Sequence, residues 1–519
     1  MFHAAILNRE HLTTEVWLLK YYLGVDLGTS SVRALMINSD GIPISVRSAQ
    51  YEVLIPRQGW AEQDPEEWTR KTTQVLSSVV SSSGVSPKDI VAVSFSGQMH
   101  GLVPLKEDGS PAANAILWLD QRSGDAIREI HEMLGPDWVA EHTQNRIAAG
   151  FLLATLYWMK TRVPETYKTI HWVMLPKDYI KYRLCGAILT DYSDAAGSLA
   201  FDNRRLGWSD ELIAALGLRR EVFPECLPST AVIGTVSEEA ARLTGLSTRT
   251  LVVNGGADQC MQAIGNGIVS PGVFASNIGT AGQISTTAAQ PVFDPQLRTN
   301  TFAHVVPGYW NIMGACLNSG LSLKWFSREI LKETDYQKLD AGVSKVPPGC
   351  GGLIFLPYLT GERTPHMDPR ARGAFFGLTL NHGSMEMVRA VMEGVVFALK
   401  DCLSVVLGLG VPLKRIVAAG GGARSDVWLQ MQADVFERTV HRSASTEQAC
   451  FGAALTAAIG AGAFSGFEEA CRTAVRPSVK AFHPNEKNAR AYRDMYDVFR
   501  ALYPANKALF SRLSELGPL

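Results

Sequence analysis

Tyr22-Leu23-Gly24-Val25-Asp26-Leu27-Gly28-Thr29-Ser30-Ser31-Val32-Arg33-Ala34-Leu35-Met36 is the stretch whose reading decides the fold. An apolar run delivers one carboxylate, Asp26, to a Gly-Thr-Ser-Ser turn. A second apolar run, Val32 to Ile37, follows and is broken only by Arg33. Asp40-Gly41 then supplies a hairpin signal leading into a third run. A carboxylate at a strand end suits hydrated Mg²⁺, which keeps several waters and needs few protein oxygens. The small turn residues offer hydroxyls and backbone N–H groups to phosphate oxygens. Taken alone, the stretch is equally an ordinary hairpin with a buried polar turn, and the rest of the chain has to decide.

At 519 residues the chain exceeds what one core serves, so two large domains are expected. Its 46% hydrophobic residues and mean hydropathy of +0.03 describe a soluble globular protein. A net charge of −1 argues against a nucleic-acid footprint or a polybasic membrane patch. The eight cysteines are scattered with no Cys-x-x-Cys pair, and read as small buried hydrophobes in a reducing cytoplasm. Residues 1–20 carry Arg9, Glu10, Glu15 and Lys20 without a sustained apolar core, which reads as an N-terminal extension and not a secretory signal. Ala449 to Phe467 is mostly Ala and Gly, interrupted by Thr456 and Ser465, and suits a helix packed closely inside a core better than one facing lipid.

Along the chain, Asp64-Pro65-Glu66-Glu67-Trp68 predicts a helix start, with Asp64 as N-cap and Glu67 closing a capping box. Ile90 to Phe95 predicts a buried strand that ends at Ser96-Gly97-Gln98-Met99-His100-Gly101. Helical patterns follow near 123–134, 151–161 and 176–185. A second series starts near residue 250. One strand runs into Gly255-Gly256-Ala257-Asp258-Gln259, and another, from Gly272 to Ile278, enters Gly279-Thr280-Ala281-Gly282 and leaves through Gln283. This echoes the opening hairpin, although only the Gly-Thr turn matches. A later strand, Arg415 to Ala419, leads into Gly420-Gly421-Gly422-Ala423-Arg424-Ser425-Asp426. Neither a Gly-x-x-x-x-Gly-Lys-Ser/Thr loop nor a Gly-x-Gly-x-x-Gly fingerprint is present, so any nucleotide is held in another way.

Four Gly-rich turns at strand ends, 26–31, 255–259, 279–282 and 420–426, together resemble those of the FGGY family of carbohydrate kinases. The resemblance covers nearly the whole chain, from about Leu23 to at least Gly462. Within that family, Gly97-Gln98-Met99-His100-Gly101, Ile116-Leu117-Trp118-Leu119-Asp120-Gln121-Arg122, Asp191-Tyr192-Ser193-Asp194 and Gly361-Glu362-Arg363-Thr364-Pro365-His366 resemble the motifs of xylulose-specific members. The resemblance implies two actin-like (ribonuclease H-like) α/β domains, each a mixed sheet flanked by helices, with an ATP and sugar cleft between them. Their expected spans are 21–248 and 249–519.

It further implies ATP and Mg²⁺ as cofactors and transfer of the γ-phosphoryl group to a sugar, D-xylulose, at its 5-hydroxyl. Asp258 is the implied base that takes the hydroxyl proton; an N-cap of the following helix is the plainer account of the same residue. Asp26 would bind Mg²⁺ through water. Thr29 and Ser30, with Gly279 and Thr280 as a second loop, would contact phosphate, and Gly421, Gly422 and Ser425 would hold the adenosine. Tight strand–helix packing explains those glycines equally well. Gln98, Met99, His100 and Gln259 would join Asp258 in the sugar pocket, with the imidazole bonding a hydroxyl or the keto oxygen. Asp120 and Arg122 read as a local ion pair, and Arg363 as either a phosphate ligand or, by slight preference, a salt-bridge tie across the cleft. Two positions depart from the family pattern: Gln259 stands where asparagine is common, and Ala257 replaces a third glycine.

Other readings keep the enzyme class and change the acceptor to ribulose, a hexulose, gluconate or a polyol. A non-catalytic actin- or Hsp70-like binding module is the alternative from another class, and the little chain left after Phe482 speaks against it. Partners are expected to be the sugar and ATP, with neither nucleic acid nor membrane; a homodimer is allowed, and the location is cytoplasmic.

Overall fold

The computed structural model describes residues 20–444, 447–476 and 480–516; the N-terminal extension expected at 1–20 lies outside the described residues except for Lys20. The opening stretch forms β1 (Tyr21–Leu27) and β2 (Ser31–Asn38), antiparallel, with Asp26 opposite Arg33. Gly41, at φ +74°, turns the chain into β3 (Pro43–Gln50). β4 (Ile90–Gly97) lies parallel to β1 and brings Ser96 beside Asp26. β5 (Val232–Thr235), β6 (Leu251–Val253) and the short β7 (Gly256–Ala257) complete a seven-stranded mixed sheet. Its order is β5-β6-β4-β1-β2-β3, with β7 paired to the end of β4.

A second seven-stranded sheet repeats the scheme. β8 (Val273–Ile278) and β9 (Gly282–Ala288) form the hairpin, extended antiparallel by β10 (Asn300–Ala303) and β11 (Trp310–Cys316). β12 (Arg415–Ala419) lies parallel to β8 just as β4 does to β1. β13 (Val440–Arg442) and β14 (Ala481–Phe482) complete the order β10-β11-β9-β8-β12-β13-β14. The echo that the sequence carries only in its Gly-Thr turns is therefore an echo of topology. This is the expected two-domain, actin-like α/β arrangement.

Helices cover both faces of the first sheet. Asp64 caps α1 (Pro65–Ser83) by accepting from the Glu66 N–H at 3.0 Å. Glu67 closes no capping box: its carboxylate pairs with Arg70 and Lys71 one turn on. Of the 123–134, 151–161 and 176–185 patterns, all become helices, at Gly124–Leu134, Leu152–Arg162 and, as α2, Pro176–Cys185. The six-residue α3 (Tyr192–Gly197) and α4 (Asp258–Gly265) stand at the cleft end.

Packing does not follow a division near residue 248. β6 and β7 belong to the first sheet, and so do the helices that close its second face: α4, α5 (Gln448–Gly460) and α6 (Phe467–Ala474) share one core with Tyr22, Leu35 and Ile37. The chain thus returns to the first half after building most of the second. Small residues allow it. A Cβ on Gly24 would lie 1.9 Å from the Cys450 carbonyl oxygen, and one on Gly452 would lie 2.0 Å from that of Met261. The Ala/Gly-rich segment is the close-packed core helix its composition predicts, and among the described residues no helix is long and apolar enough to cross a membrane.

The halves are also tied at the edge of the second sheet. Asn145, fully buried, mimics a neighbouring strand: its Oδ1 accepts from the Thr301 N–H at 2.8 Å and its Nδ2 donates to the Thr301 carbonyl at 2.9 Å. Asn203 Oδ1 accepts from the Ala303 N–H at 2.9 Å. Two asparagine side chains therefore occupy the β10 edge, where unpaired backbone groups would otherwise be exposed.

Candidate active site

The predicted residues gather at the carboxyl ends of parallel strands, where open α/β sheets bind ligands. In the first turn, the Gly28 N–H donates to the Ser31 carbonyl at 3.0 Å, so the hairpin reading is also true. The turn is braced from outside: Tyr51 OH donates to the Gly28 carbonyl and Gln63 Nε2 to that of Thr29, at 2.5 and 2.7 Å. Thr29 Oγ1 donates to Gln98 Oε1 at 3.1 Å and accepts from Trp118 Nε1 at 3.0 Å. Ser30 is exposed. Its hydroxyl and the turn's backbone, more than the occupied Thr29 hydroxyl, are what this turn can offer to phosphate.

Asp26 accepts from Ser96 Oγ at 2.7 Å. Burial raises its carboxyl above the usual range, against the hydrogen bond from Ser96 and the charge of Arg33. Arg33 is itself engaged by Glu447 at 2.8 Å. β7 and β1 flank β4 with Gly256 and Asp26 both in register with Ser96. Asp26 and Asp258 therefore leave strands about 10 Å apart, two strand spacings, at one end of the sheet.

Asp258 is not the N-cap of α4. That position falls to Ala257, and Asp258 is the first helical residue. Its Oδ1 is buried without a hydrogen-bond partner. Burial, then the charge of Asp26, pushes the carboxyl up to about 7, with the donors of Gln259 working the other way. Buried carboxylates are ordinarily paired, so an unpartnered oxygen beside a second acidic group marks a place for a cation or a proton donor. Among the described residues no set of three or more His, Cys, Asp or Glu side chains is arranged to hold a metal. Mg²⁺ that arrives with phosphate needs only one or two protein carboxylates.

The sugar motif is buried against the helices of the first half. His100, at φ +73°, stacks on Phe151 with ring centroids 3.8 Å apart and lies 5.6 Å from Phe302 of β10. Burial holds the imidazole down at about 4, hence neutral, and its Nδ1 lies 2.7 Å from the carbonyl of Gly197. A neutral ring beside a carbonyl carries its proton on Nδ1 and donates there, so Nε2 is an acceptor. Of the two expected partners, a hydroxyl suits it and a keto oxygen does not. Met99 is 4% exposed and packs into the core under His100. Gln98, 2% exposed, uses its amide inside the protein, accepting from Thr29 and donating to Gln63 Oε1 at 3.2 Å. It braces the phosphate turn, so the expected direct sugar contact is not what its bonding supports. Gln259 is half-buried next to Asp258.

In the second half, Gly279 and Thr280 form the β8–β9 turn, with Thr280 exposed. The carbonyl of Gly279 accepts from the Gly320 N–H at 2.9 Å. Asn277 Nδ2 donates to Gln262 Oε1 at 3.1 Å, linking this strand end to the helix that begins with Asp258. The Gly420–Gly422 turn divides its roles. A Cβ on Gly422 would lie 2.6 Å from Ile278 Cβ, whereas one on Gly421 would meet nothing within 3.8 Å. Gly421 is exposed and open to a ligand, and Gly422 is packing. The Ser425 hydroxyl caps the helix Asp426–Phe436, accepting from the Trp428 N–H at 3.1 Å and donating to Asp340 Oδ1 at 2.9 Å. Here, then, the hydroxyl expected at the adenosine serves the helix cap and Asp340.

Asp120 and Arg122 form the expected pair, a fork of hydrogen bonds near 3.0 Å, widened by Glu62 at 2.8 Å and by the Trp60 ring 3.7 Å below the guanidinium. Arg363 does not form the expected salt-bridge tie. Its guanidinium has no ion pair or side-chain hydrogen bond among the described residues, although it is half-buried. Burial pushes its neighbour Glu362 up to about 8, the Arg363 charge working against that shift, and the same charge reaches His100. Sequence reasoning passed over Tyr51, Ser96 and the bracing role of Gln63. Trp118, 38% exposed and bonded to Thr29, had a signal in its motif.

Profiles of the N-terminal and C-terminal domains of the FGGY family of carbohydrate kinases match residues 21–265 and 274–461. A xylulose kinase of Bacillus subtilis is 37% identical over 96% of this chain and 99% of its own. A gluconokinase of Bacillus licheniformis is 30% identical over 95% and 98%. The solved structure of a ligand-bound xylulose kinase from Lactobacillus acidophilus superposes with a TM-score of 0.90 at 27% identity, over 95% of this chain and 100% of that one. With two matching sheets, two strand-end turns and both family domains in order along one chain, this protein belongs to the FGGY family of carbohydrate kinases.

Proposed function

We propose that this chain transfers the γ-phosphoryl group of ATP to the 5-hydroxyl of D-xylulose, giving D-xylulose 5-phosphate and ADP. The observation that carries the chemistry is the buried, unpartnered Oδ1 of Asp258, which leaves the same end of the first sheet as Asp26. The acceptor is supported by likeness to xylulose kinases over nearly the whole chain. Asp258 takes the proton from the attacking hydroxyl, and its raised proton affinity suits that exchange near neutral pH. The turns at 28–31 and 279–280 hold the phosphates from either side, and Gly421 leaves room for the adenosine. His100 Nε2 accepts from a sugar hydroxyl. When bound, Mg²⁺ neutralises charge on the phosphoryl oxygens, and Asp26 would hold it. Closure of the halves keeps water from competing as acceptor.

A second acceptor class has one specific support. The guanidinium of Arg363, which makes no ion pair among the described residues, could pair with the carboxylate of gluconate, the acceptor named for one relative. ³¹P NMR of a reaction with D-xylulose, ATP and Mg²⁺ tests the proposal. A single new phosphomonoester on the 5-carbon supports it; no sugar phosphate, or one at another carbon, contradicts it.

A further inference from the structure

Against Gly97, at the end of β4, packs a cluster of charged side chains that no step above uses. Lys177, Asp178, Lys181, Asp191 and Asp194 all have 0% exposure. Lys177 Nζ stands 2.6 Å from Asp178, 2.8 Å from Asp191 and 3.0 Å from Asp194. Lys181 pairs with Asp178 at 2.9 Å and with the side chain of Asn254. Burying five ionisable groups is expensive and is sustained only by mutual pairing. A stable core would do as well with apolar residues, so the position of the cluster is informative.

It sits at the root of α3. Asp191 is the N-cap of that helix, and its Oδ2 accepts from the N–H and Oγ of Ser193 at 2.8 and 2.5 Å and from Ser229 Oγ at 3.0 Å. Ser193 Oγ in turn accepts from the Ala257 N–H at 2.9 Å. That N–H belongs to the residue immediately before Asp258. At its other end, α3 finishes at Gly197, whose carbonyl faces His100 Nδ1. A Cβ on Gly197 would lie 2.9 Å from Met99 Cε, so helix and sugar motif are in direct contact. One rigid, six-residue strut, anchored by buried ion pairs, therefore touches both the strand that presents Asp258 and the ring that reads the sugar.

We propose that Ser193 is a positioning residue for Asp258: its hydroxyl fixes the Ala257 backbone, and through it the direction in which the catalytic carboxylate leaves β7. The inference rests on the reading of Asp258 as base. The Ala257 N–H donates to Ser193 Oγ beside the pairing of Ala257 with Gly97 of β4, and a base displaced by about 1 Å loses on the order of 100-fold in rate.

The test compares Ser193→Ala with Ser229→Ala in the full-length protein, by sugar-dependent ADP release and thermal denaturation. Both variants remove one hydrogen bond from the same oxygen of Asp191, but of the two hydroxyls only that of Ser193 reaches the Asp258 strand; Ser229 meets Gly255 through its backbone carbonyl, which the substitution keeps. Ser193→Ala should lower kcat about 10- to 100-fold with the KM for ATP unchanged, while Ser229→Ala should keep kcat within about twofold. In an Asp258→Asn background, Ser193→Ala should change the residual rate by less than about twofold, because residues acting through one another are not additive. Ser193→Cys fills the same space with a poor acceptor; it carries the same comparisons if the alanine variant does not fold. Wild-type kcat in Ser193→Ala and Ser193→Cys, equal losses in Ser193→Ala and Ser229→Ala, or a full Ser193→Ala loss on top of Asp258→Asn overturns the proposal. Wild-type turnover in Asp258→Asn alone overturns the base assignment instead.

Discussion

Asp258→Asn should separate catalysis from stability in opposite directions. Asparagine keeps the shape of the side chain and removes its ability to take a proton. General-base catalysis contributes about 10²–10⁴-fold, so kcat should fall by that factor while ATP still binds. Stability should move the other way. The Asp258 carboxyl rises from an ordinary 3.8 to about 7 on folding, chiefly by burial and then by Asp26. A decade in proton affinity is worth about 1.4 kcal/mol, so the ionised side chain opposes folding by about 4 kcal/mol above pH 7. The folded state holds this proton more tightly than the unfolded state, so stability falls as pH rises between 3.8 and about 7. Below pH 3.8 the side chain is protonated in both states and costs nothing. The variant should therefore melt above the wild type at pH 8, by a margin that shrinks steadily towards pH 5. Scanning calorimetry at several pH values, in the absence of nucleotide and metal, reads that margin. A difference that does not change with pH, or a variant that turns over normally, refutes the reasoning.

His100→Ala should raise the KM for sugar about tenfold, the worth of one neutral hydrogen bond, and leave the KM for ATP unchanged; equal effects on both would make the ring structural. Gly422→Ala should destabilise the second half by about 1–3 kcal/mol, because its Cβ runs into Ile278, whereas Gly421→Ala should fold normally and raise the KM for ATP. Thermal melts beside ATP titrations distinguish the two. Ser425→Ala should cost about 1 kcal/mol, the worth of a helix cap, with the KM for ATP unchanged; a large rise in that KM would restore the hydroxyl to the nucleotide site.

The hairpins, the Gly-rich turns and most long helices were legible because each is written locally, in alternation, turn residues and caps. Asp258 could be singled out only through the family resemblance, since an N-cap accounts for an acidic residue at such a strand end just as well. What could not be read was where side chains spend their hydrogen bonds. Ser425 and Gln98 have the right chemistry for ligand contact, yet Asp340 with the Trp428 N–H, and Thr29 with Gln63, already occupy them. Arg363 fails in the opposite sense: a salt bridge is a fair guess for an Arg beside a Glu, but burial raises the Glu362 carboxyl and the guanidinium makes no ion pair among the described residues. The return of α5 and α6 to the first sheet depends on pairings some 400 residues apart, such as Gly24 against Cys450, which no local pattern records.

The central claim is that Asp258 and the two Gly-Thr turns serve phosphoryl transfer to a ketopentose. ADP release measured with ATP and Mg²⁺ across D-xylulose, ribulose, a hexulose, gluconate and polyols tests it most directly. Release should depend on the sugar, with the highest kcat/KM for D-xylulose. Release that ignores the sugar, or a higher kcat/KM for gluconate or a polyol, would contradict it.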